Sequence, residues 1–209
     1  MVLSSGSPTL RVVFIAFEGG DGAGKTTQIE LLRARLVDDG RDVVVTREPG
    51  GTDLGAGIRQ VLLHGDAIAP RAEALLFAAD RAHHVATVVR PALRRDAAVL
   101  QDRYIDSSVA YQGAGRELDP AEIKRLSLWA TEDLLPDLTV LLDVTPQDGL
   151  SRRGAVHDRL ESEQDDFHAR VREHYLQLAA QDPGRYLVVD ASLPREEIAA
   201  IVAERVDRL

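Results

Sequence analysis

Val12-Val13-Phe14-Ile15-Ala16-Phe17-Glu18 runs directly into Gly19-Gly20-Asp21-Gly22-Ala23-Gly24-Lys25-Thr26-Thr27. The apolar run Val12–Phe17 reads as a short strand buried on both faces, as in a parallel sheet. The segment behind it is a complete phosphate-binding loop, G-x-x-x-x-G-K-[ST], with Gly19, Gly24, Lys25 and Thr26 in the fixed places. Strand before and helix after is the context that this motif requires. Its glycines let backbone N–H groups curl around phosphate oxygens. Lys25 brings a point charge to the β/γ-phosphates, and the Thr26 hydroxyl is a ligand for Mg²⁺. The helix that opens here turns its positive end toward the anion. A dinucleotide fingerprint fits worse: Gly20-Asp21-Gly22 begins a G-x-G, but the third glycine would fall at Lys25.

Working outward, apolar runs at Val43–Thr46, Ala97–Gln101, Leu138–Asp143 and Tyr186–Asp190 complete a set of five strands. Helical patterns lie between them, at Lys25–Asp38, Asp53–Leu63, Pro70–Arg95, Ile105–Gly113, Pro120–Thr131, Phe167–Gln181 and Pro194–Arg208. This rhythm predicts an α/β, three-layer P-loop NTPase fold with a five-stranded parallel sheet flanked by helices. Ligands in such sheets bind at the carboxyl ends of the strands. Each run here ends in a charged or glycine-rich segment, so five strand ends converge on one cleft.

The chain has 209 residues, 44% hydrophobic and 28% charged, enough for one well-buried core. Residues 1–11 read as a disordered tail and 12–209 as one domain. The net charge of −9 and the lack of a long basic run argue against nucleic acid as a partner. The absence of cysteine excludes disulfides, thiolate catalysis and Cys-based zinc sites. The start lacks a basic n-region, and no apolar stretch approaches membrane-spanning length. The expectation is a cytoplasmic protein with no membrane partner. The six histidines lack ligand spacing and are expected to be structural or exposed.

Other segments carry phosphate and base chemistry. Asp102-Arg103-Tyr104 ends the third strand with an acid able to hold Mg²⁺ and an arginine able to fork onto phosphate. Thr46-Arg47-Glu48-Pro49-Gly50-Gly51-Thr52 sets an arginine on a rigid turn. Phe77 and Arg81 share a helical face, an aromatic plane beside a guanidinium fork. Tyr104, Ser107 or Ser108, and Tyr111 follow at steps of three to four, with Gln112 beside them, and put hydroxyls and rings on one helical face toward the cleft. Ser151-Arg152-Arg153-Gly154-Ala155-Val156-His157-Asp158-Arg159 reads as a basic lid, within about 151–166. Gly22 and Ala23 bring no cation to the loop, so a lid arginine is expected to supply it.

In this order the motifs resemble the thymidylate kinase family over the chain from about Val12 onward. The resemblance rests on Phe17-Glu18-Gly19 with Asp21–Gln28, on Thr46–Thr52, on Leu75-Leu76-Phe77 with Asp80-Arg81, on Asp102-Arg103-Tyr104, on Ser107–Gly113, and on Asp158-Arg159-Leu160-Glu161. It implies an enzyme that transfers the γ-phosphoryl group of Mg-ATP to dTMP, giving dTDP and ADP, and that packs as a homodimer through its helices. It implies ATP binding by Gly19, Gly20, Asp21, Gly22, Ala23, Gly24, Lys25, Thr26 and Thr27. Thr26 and Asp102 would organise Mg²⁺. Arg47 and Arg103 would grip the dTMP phosphate, and Asp21 would bind the 3′-hydroxyl and help position Arg47. Phe77 would stack on thymine, with Arg81 at its O4 and Ser108 near N3. Ser107 and Gln112 would line this pocket, and Tyr111 would crowd the 2′ position. Lid residues Arg153 and Arg159 would reach the transferring group with Asp158 nearby, and Arg152 is not ranked below them.

Two other readings compete. A deoxynucleoside kinase acting on a 5′-hydroxyl would want a carboxylate base, for which Glu18 is the candidate. A non-catalytic nucleotide switch would need no second nucleotide pocket, and would leave Phe77, Arg81 and Tyr111 unexplained.

Overall fold

A computed structural model describes residues 13–116, 118–152, 159–160 and 163–209. In chain order its elements are β1 (Phe14–Glu18), α1 (Lys25–Asp38), β2 (Val43–Arg47), α2 (Asp53–His64), α3 (Pro70–His84), α4 (Arg90–Arg94), β3 (Ala98–Asp102), α5 (Ile105–Ser108), α6 (Pro120–Thr131), β4 (Leu138–Asp143), α7 (Pro146–Ser151), α8 (Asp165–Gln181), β5 (Tyr186–Asp190) and α9 (Arg195–Val206). The strands form one parallel sheet in the order β2-β3-β1-β4-β5.

Alternation within β1 explains the layers. Ile15 and Phe17 face one side, where they pack with Ile29, Leu32 and Leu36 of α1 and with Ile198, Val202 and Val206 of α9. Phe14 and Ala16 face the other, among Phe77, Val109, Tyr111, Phe167 and Tyr175. Side chains that point alternately up and down a fully buried strand require apolar cover on both faces. Three layers result, as the rhythm of the sequence predicts. The outer strands differ from that expectation. β2 and β5 are sheet edges and are only partly buried, with Val45 and Val188 exposed.

Three strands run one residue further than their apolar runs. Glu18, Arg47 and Asp102 belong to the sheet, in register Phe17↔Asp102, Arg47↔Asp102 and Glu18↔Leu141. The sheet therefore delivers Arg47 and Asp102 to the cleft on paired backbone, which is stiffer than loop, and seats Glu18 in the interior. The long helix expected over Pro70–Arg95 is α3 and α4 joined by a π turn at Val85–Val89. The helix expected over Ile105–Gly113 is one α turn that widens into a π segment, Val109–Gly115. Val12, at the start of the first expected strand, lies outside the described residues. So do Arg153 and Asp158, with the rest of 153–158 and residues 161–162.

Candidate active site

The phosphate loop is shaped by its glycines and by two neighbours. Gly19 has φ 135°, and a Cβ there would lie 2.4 Å from the carbonyl oxygen of Leu142 on β4. Gly22 has φ 77°, and a Cβ there would lie 2.4 Å from the Gly149 carbonyl of α7. Both values belong to a region that L side chains rarely enter. Gly24, at φ 91°, is the N-cap of α1 and offers no side-chain acceptor. The first N–H groups of α1 are thus left for an anion. Lys25 is buried, and its Nζ donates to the carbonyls of Gly19 (3.1 Å) and Gly20 (3.0 Å). Burial, with the charge of Arg103, lowers its pKa below the ordinary lysine value.

A cleft of about 530 Å³ opens from this loop. Its walls carry Lys25, Arg47, Arg59, Arg81, Arg103 and Arg152 against the carboxylates of Asp21, Glu48 and Asp102. An excess of cations lines the cleft of a chain whose net charge is −9. The field in such a cleft concentrates anionic ligands there.

Arg103 is aimed from the end of β3 by a strained turn. Its φ is 63°, left-handed for a residue with a side chain. The turn is held because the Arg103 N–H donates to the Phe17 carbonyl (2.9 Å) and the Tyr104 N–H to Glu18 Oε1 (2.8 Å). The guanidinium reaches Asp21 and Ser107 Oγ and lies over the Tyr111 ring at 5.2 Å. Burial works against its charge, but Tyr111 and the Asp21 carboxylate outweigh it and hold the pKa well above the ordinary value. Asp21 thus holds Arg103. Arg47 lines the cleft with an exposed side chain.

Glu18 takes a structural role. Fully buried, it accepts from Tyr104 N–H, Ser107 N–H, Ser107 Oγ (2.6 Å) and Tyr175 Oη (2.9 Å). Burial, then the charge of Asp106, raises its pKa. It ties the start of α5 and the middle of α8 to the end of β1. A carboxylate saturated in this way is unsuited to abstracting a proton from a ligand.

The same cleft has a wall of rings, hydroxyls and an amide. Phe77, Arg81, Tyr104, Ser108, Tyr111 and Gln112 line it. Arg81 is fully buried, with Nε on Glu48 Oε2 (2.7 Å), Nη1 on Ser127 Oγ (3.1 Å), and Nη2 on Tyr104 O (3.1 Å) and Ser108 Oγ (3.0 Å). Glu48 is fixed in turn by His84 Nδ1 (2.8 Å), whose Nε2 meets Thr46 Oγ1 at 2.6 Å. His84 is buried and structural, one of the two states expected for the histidines. Glu48, in the quoted Thr46–Thr52 motif, had been given no role. Tyr104 departs from its predicted orientation: its hydroxyl donates to Leu134 O (3.0 Å), on the far side of its ring. Tyr111 Oη donates to Asp21 Oδ2 at 3.3 Å.

The lid arginines separate. Arg152, at the end of α7, lines the cleft and donates to Ala191 O (2.9 Å). Arg159, expected at the transferring phosphoryl group, is instead docked on the acceptor side. Its Nε donates to Leu62 O (2.9 Å) at the end of α2, and its Nη2 to Glu73 Oε2 (2.5 Å). The docked Arg159 is absent from the residues that line the cleft.

Asp102 and Thr26 both line the cleft, and Asp102 Oδ1 is buried with no hydrogen-bond partner. A carboxylate oxygen and a hydroxyl are hard donors that suit Mg²⁺. No cluster of three or more His, Cys, Asp or Glu exists among the described residues.

A phosphate loop that shares one cleft with Arg47, Arg81, Arg103 and Phe77 is the arrangement of a phosphotransferase. The family model "Thymidylate kinase" matches residues 17–202. A thymidylate kinase of Clavibacter michiganensis subsp. michiganensis is 64% identical over 201 residues, 94% of this chain and 95% of that protein. One from Bifidobacterium longum is 57% identical over 202 residues, 94% of this chain and 98% of the relative. The crystal structure of the Ehrlichia chaffeensis thymidylate kinase superposes with a TM-score of 0.78 at 31% identity, covering 95% of this chain and all of that one. The chain belongs to the thymidylate kinase family.

Proposed function

We propose that this chain performs its family's reaction with the residues that line the cleft: ATP and dTMP in, ADP and dTDP out. The observation that carries this reading is the pairing of the phosphate loop with Arg47, Arg103, Phe77 and Arg81 across one cavity. A phosphate oxygen of dTMP forms a bond to the γ-phosphorus. The bond from that phosphorus to the β–γ bridging oxygen breaks, and its electron pair leaves on ADP. The attacking phosphate is already anionic at neutral pH, so no protein base is required. Catalysis then rests on positioning and on charge.

Gly19 to Thr27 cradle the ATP phosphates, and Lys25 moves from the Gly19 and Gly20 carbonyls to the β/γ-phosphates. Arg103, held between Asp21 and Tyr111, and Arg47 take the dTMP phosphate. Asp21 and Tyr111 face the sugar, and Ser107 supports Arg103. Phe77, Arg81, Ser108 and Gln112 take the base. Arg152 is the described lid arginine nearest this chemistry, and Arg153 lies in the segment that follows it. Thr26 and Asp102 would hold Mg²⁺, which neutralises phosphate charge when bound.

The saturated state of Glu18 favours a monophosphate acceptor over a 5′-hydroxyl, which would need a base there. The acidic chain and its arginine-lined pocket suit free nucleotides, and the cytoplasm is where ATP and dTMP meet. No helix among the described residues is long and apolar enough to cross a membrane. Exposed Leu54 and Val61 on α2, Leu75 on α3 and Trp129 on α6 support a homodimer built on these helices. The test is ADP release from Mg-ATP with dTMP, dUMP, dCMP, dGMP and thymidine in parallel. Turnover fastest on dTMP, with dUMP behind it and thymidine inert, is the expected result. Turnover on thymidine would transfer the assignment to a nucleoside kinase.

A further inference from the structure

Glu73 lies on α3, one turn before Phe77, and is completely buried. Its Oε1 accepts from Gln112 Nε2 (2.9 Å) and Arg116 Nε (3.3 Å). Its Oε2 accepts from Arg159 Nη2 (2.5 Å) and Arg116 Nη2 (3.3 Å). Arg116 also bonds Glu163 and lies over the Phe167 ring at 5.2 Å. Two arginines thus surround one carboxylate. Burial pushes its pKa up, but the hydrogen bonds from Gln112, Arg159 and Arg116 outweigh that and hold it below the ordinary value.

An ionised carboxylate accepts hydrogen bonds and has none to give. Gln112 must therefore turn its NH₂ group toward Glu73, whichever way the amide is drawn. Its carbonyl oxygen is then the distinctive end left for the cleft that Gln112 lines. Nearby, Arg81 spends four of its five N–H bonds on Glu48, Ser127, Tyr104 and Ser108. It has one donor left and can never accept. A donor and an acceptor on the walls of one cleft match the C4 oxo group and N3–H of thymine or uracil. Cytosine presents the reverse, an amino donor and an unprotonated N3.

We infer that Glu73 is a positioning residue for base selection: an acceptor-only group, it dictates which end of the Gln112 amide faces the base. This rests on the proposed dTMP reading of the cleft. Arg116 and Arg159 serve as the counter-ions that keep the arrangement in place, which gives Arg159 a role on the acceptor side of the molecule.

The test is the ratio of dissociation constants for dCMP and dTMP, measured by calorimetry. In Glu73→Gln the two arginines claim the new carbonyl oxygen, and the new NH₂ turns Gln112 around. The ratio is expected to fall about tenfold, the size of one mismatched hydrogen bond, with ATP affinity unchanged. Because Glu73 acts through Gln112, the same substitution in a Gln112→Ala background should leave the ratio where Gln112→Ala alone puts it. An equal loss of dTMP and dCMP affinity in Glu73→Gln would overturn the inference. Should Glu73→Gln show no cooperative unfolding, Gln112→Leu, with Glu73 and its arginines intact, makes the same point: the ratio should fall, and an unchanged ratio overturns the inference. A wild type that turns over no monophosphate overturns the kinase reading and this one with it. A wild type that turns over dTMP, but whose ratio these variants leave alone, overturns this one only.

Discussion

Arg103 shows how much of the site is set by a single backbone angle. Its left-handed conformation is held by the end of β1 and by Glu18, and the strain is repaid in the direction of one guanidinium. Arg103→Ala should lower kcat/KM for dTMP by about 10²–10³-fold, the usual loss for a preorganised charge contact. ATP affinity, measured by titration, should stay near that of the wild type. Glu73 makes a prediction with a sign. Its folded-state pKa lies below the ordinary 4.5, so the stability it confers is present above pH 4.5 and is lost as pH falls through the folded value. The gap in thermal midpoint between wild type and Glu73→Gln should be constant near neutrality and shrink below pH 4.5. A gap that widens in acid would show that the carboxylate is not held ionised. The phosphate-loop residues, Arg47, Arg103, Phe77 and Arg81 were legible in the sequence because each sits in a motif with its own chemistry. Glu73, Tyr175 and His84 were not assigned to the site. Their partners lie 39, 157 and 36 residues away, and nothing local marks the pairing.

At the scale of elements, strand positions could be read from apolar runs, and so could the ends of β4 and β5, but the ends of β1, β2 and β3 could not. Glu18, Arg47 and Asp102 look like loop residues by polarity, yet the ladder carries them: Arg47 and Asp102 line the cleft, and Glu18 is paired with Tyr104, Ser107 and Tyr175. The π segment Val109–Gly115 was equally hidden, since widening a helix leaves no compositional trace. Element packing also sets the loop geometry. A Cβ on Gly149 of α7 would lie 2.5 Å from the Asp21 carbonyl oxygen, with backbone on both sides and no side chain to yield. Gly149→Ala should therefore weaken ATP binding about tenfold or more, read by the same titration, while dTMP affinity changes less. Equal weakening of both ligands would place the damage elsewhere.

For the whole molecule, the sheet order brings the ends of β1, β2 and β3 side by side, so donor and acceptor sites share one rigid floor. The helices over that floor leave Leu54 and Leu75 more than half exposed, at 53% and 58%, and Val61 at 50%. Side chains of this kind on one helical layer suit a second copy of the chain. Val61→Asp with Leu75→Glu should convert a dimer to a monomer in sedimentation velocity, with little loss of monomer stability because both positions face outward. An unchanged sedimentation coefficient would move the interface to another face. The contact between Gly22 and Gly149 has a consequence for how such enzymes can diverge. With the Gly149 carbonyl pressed against it, position 22 has no room for a side chain, so an arginine cannot be gained there by one substitution. The loop and α7 would have to be redesigned together.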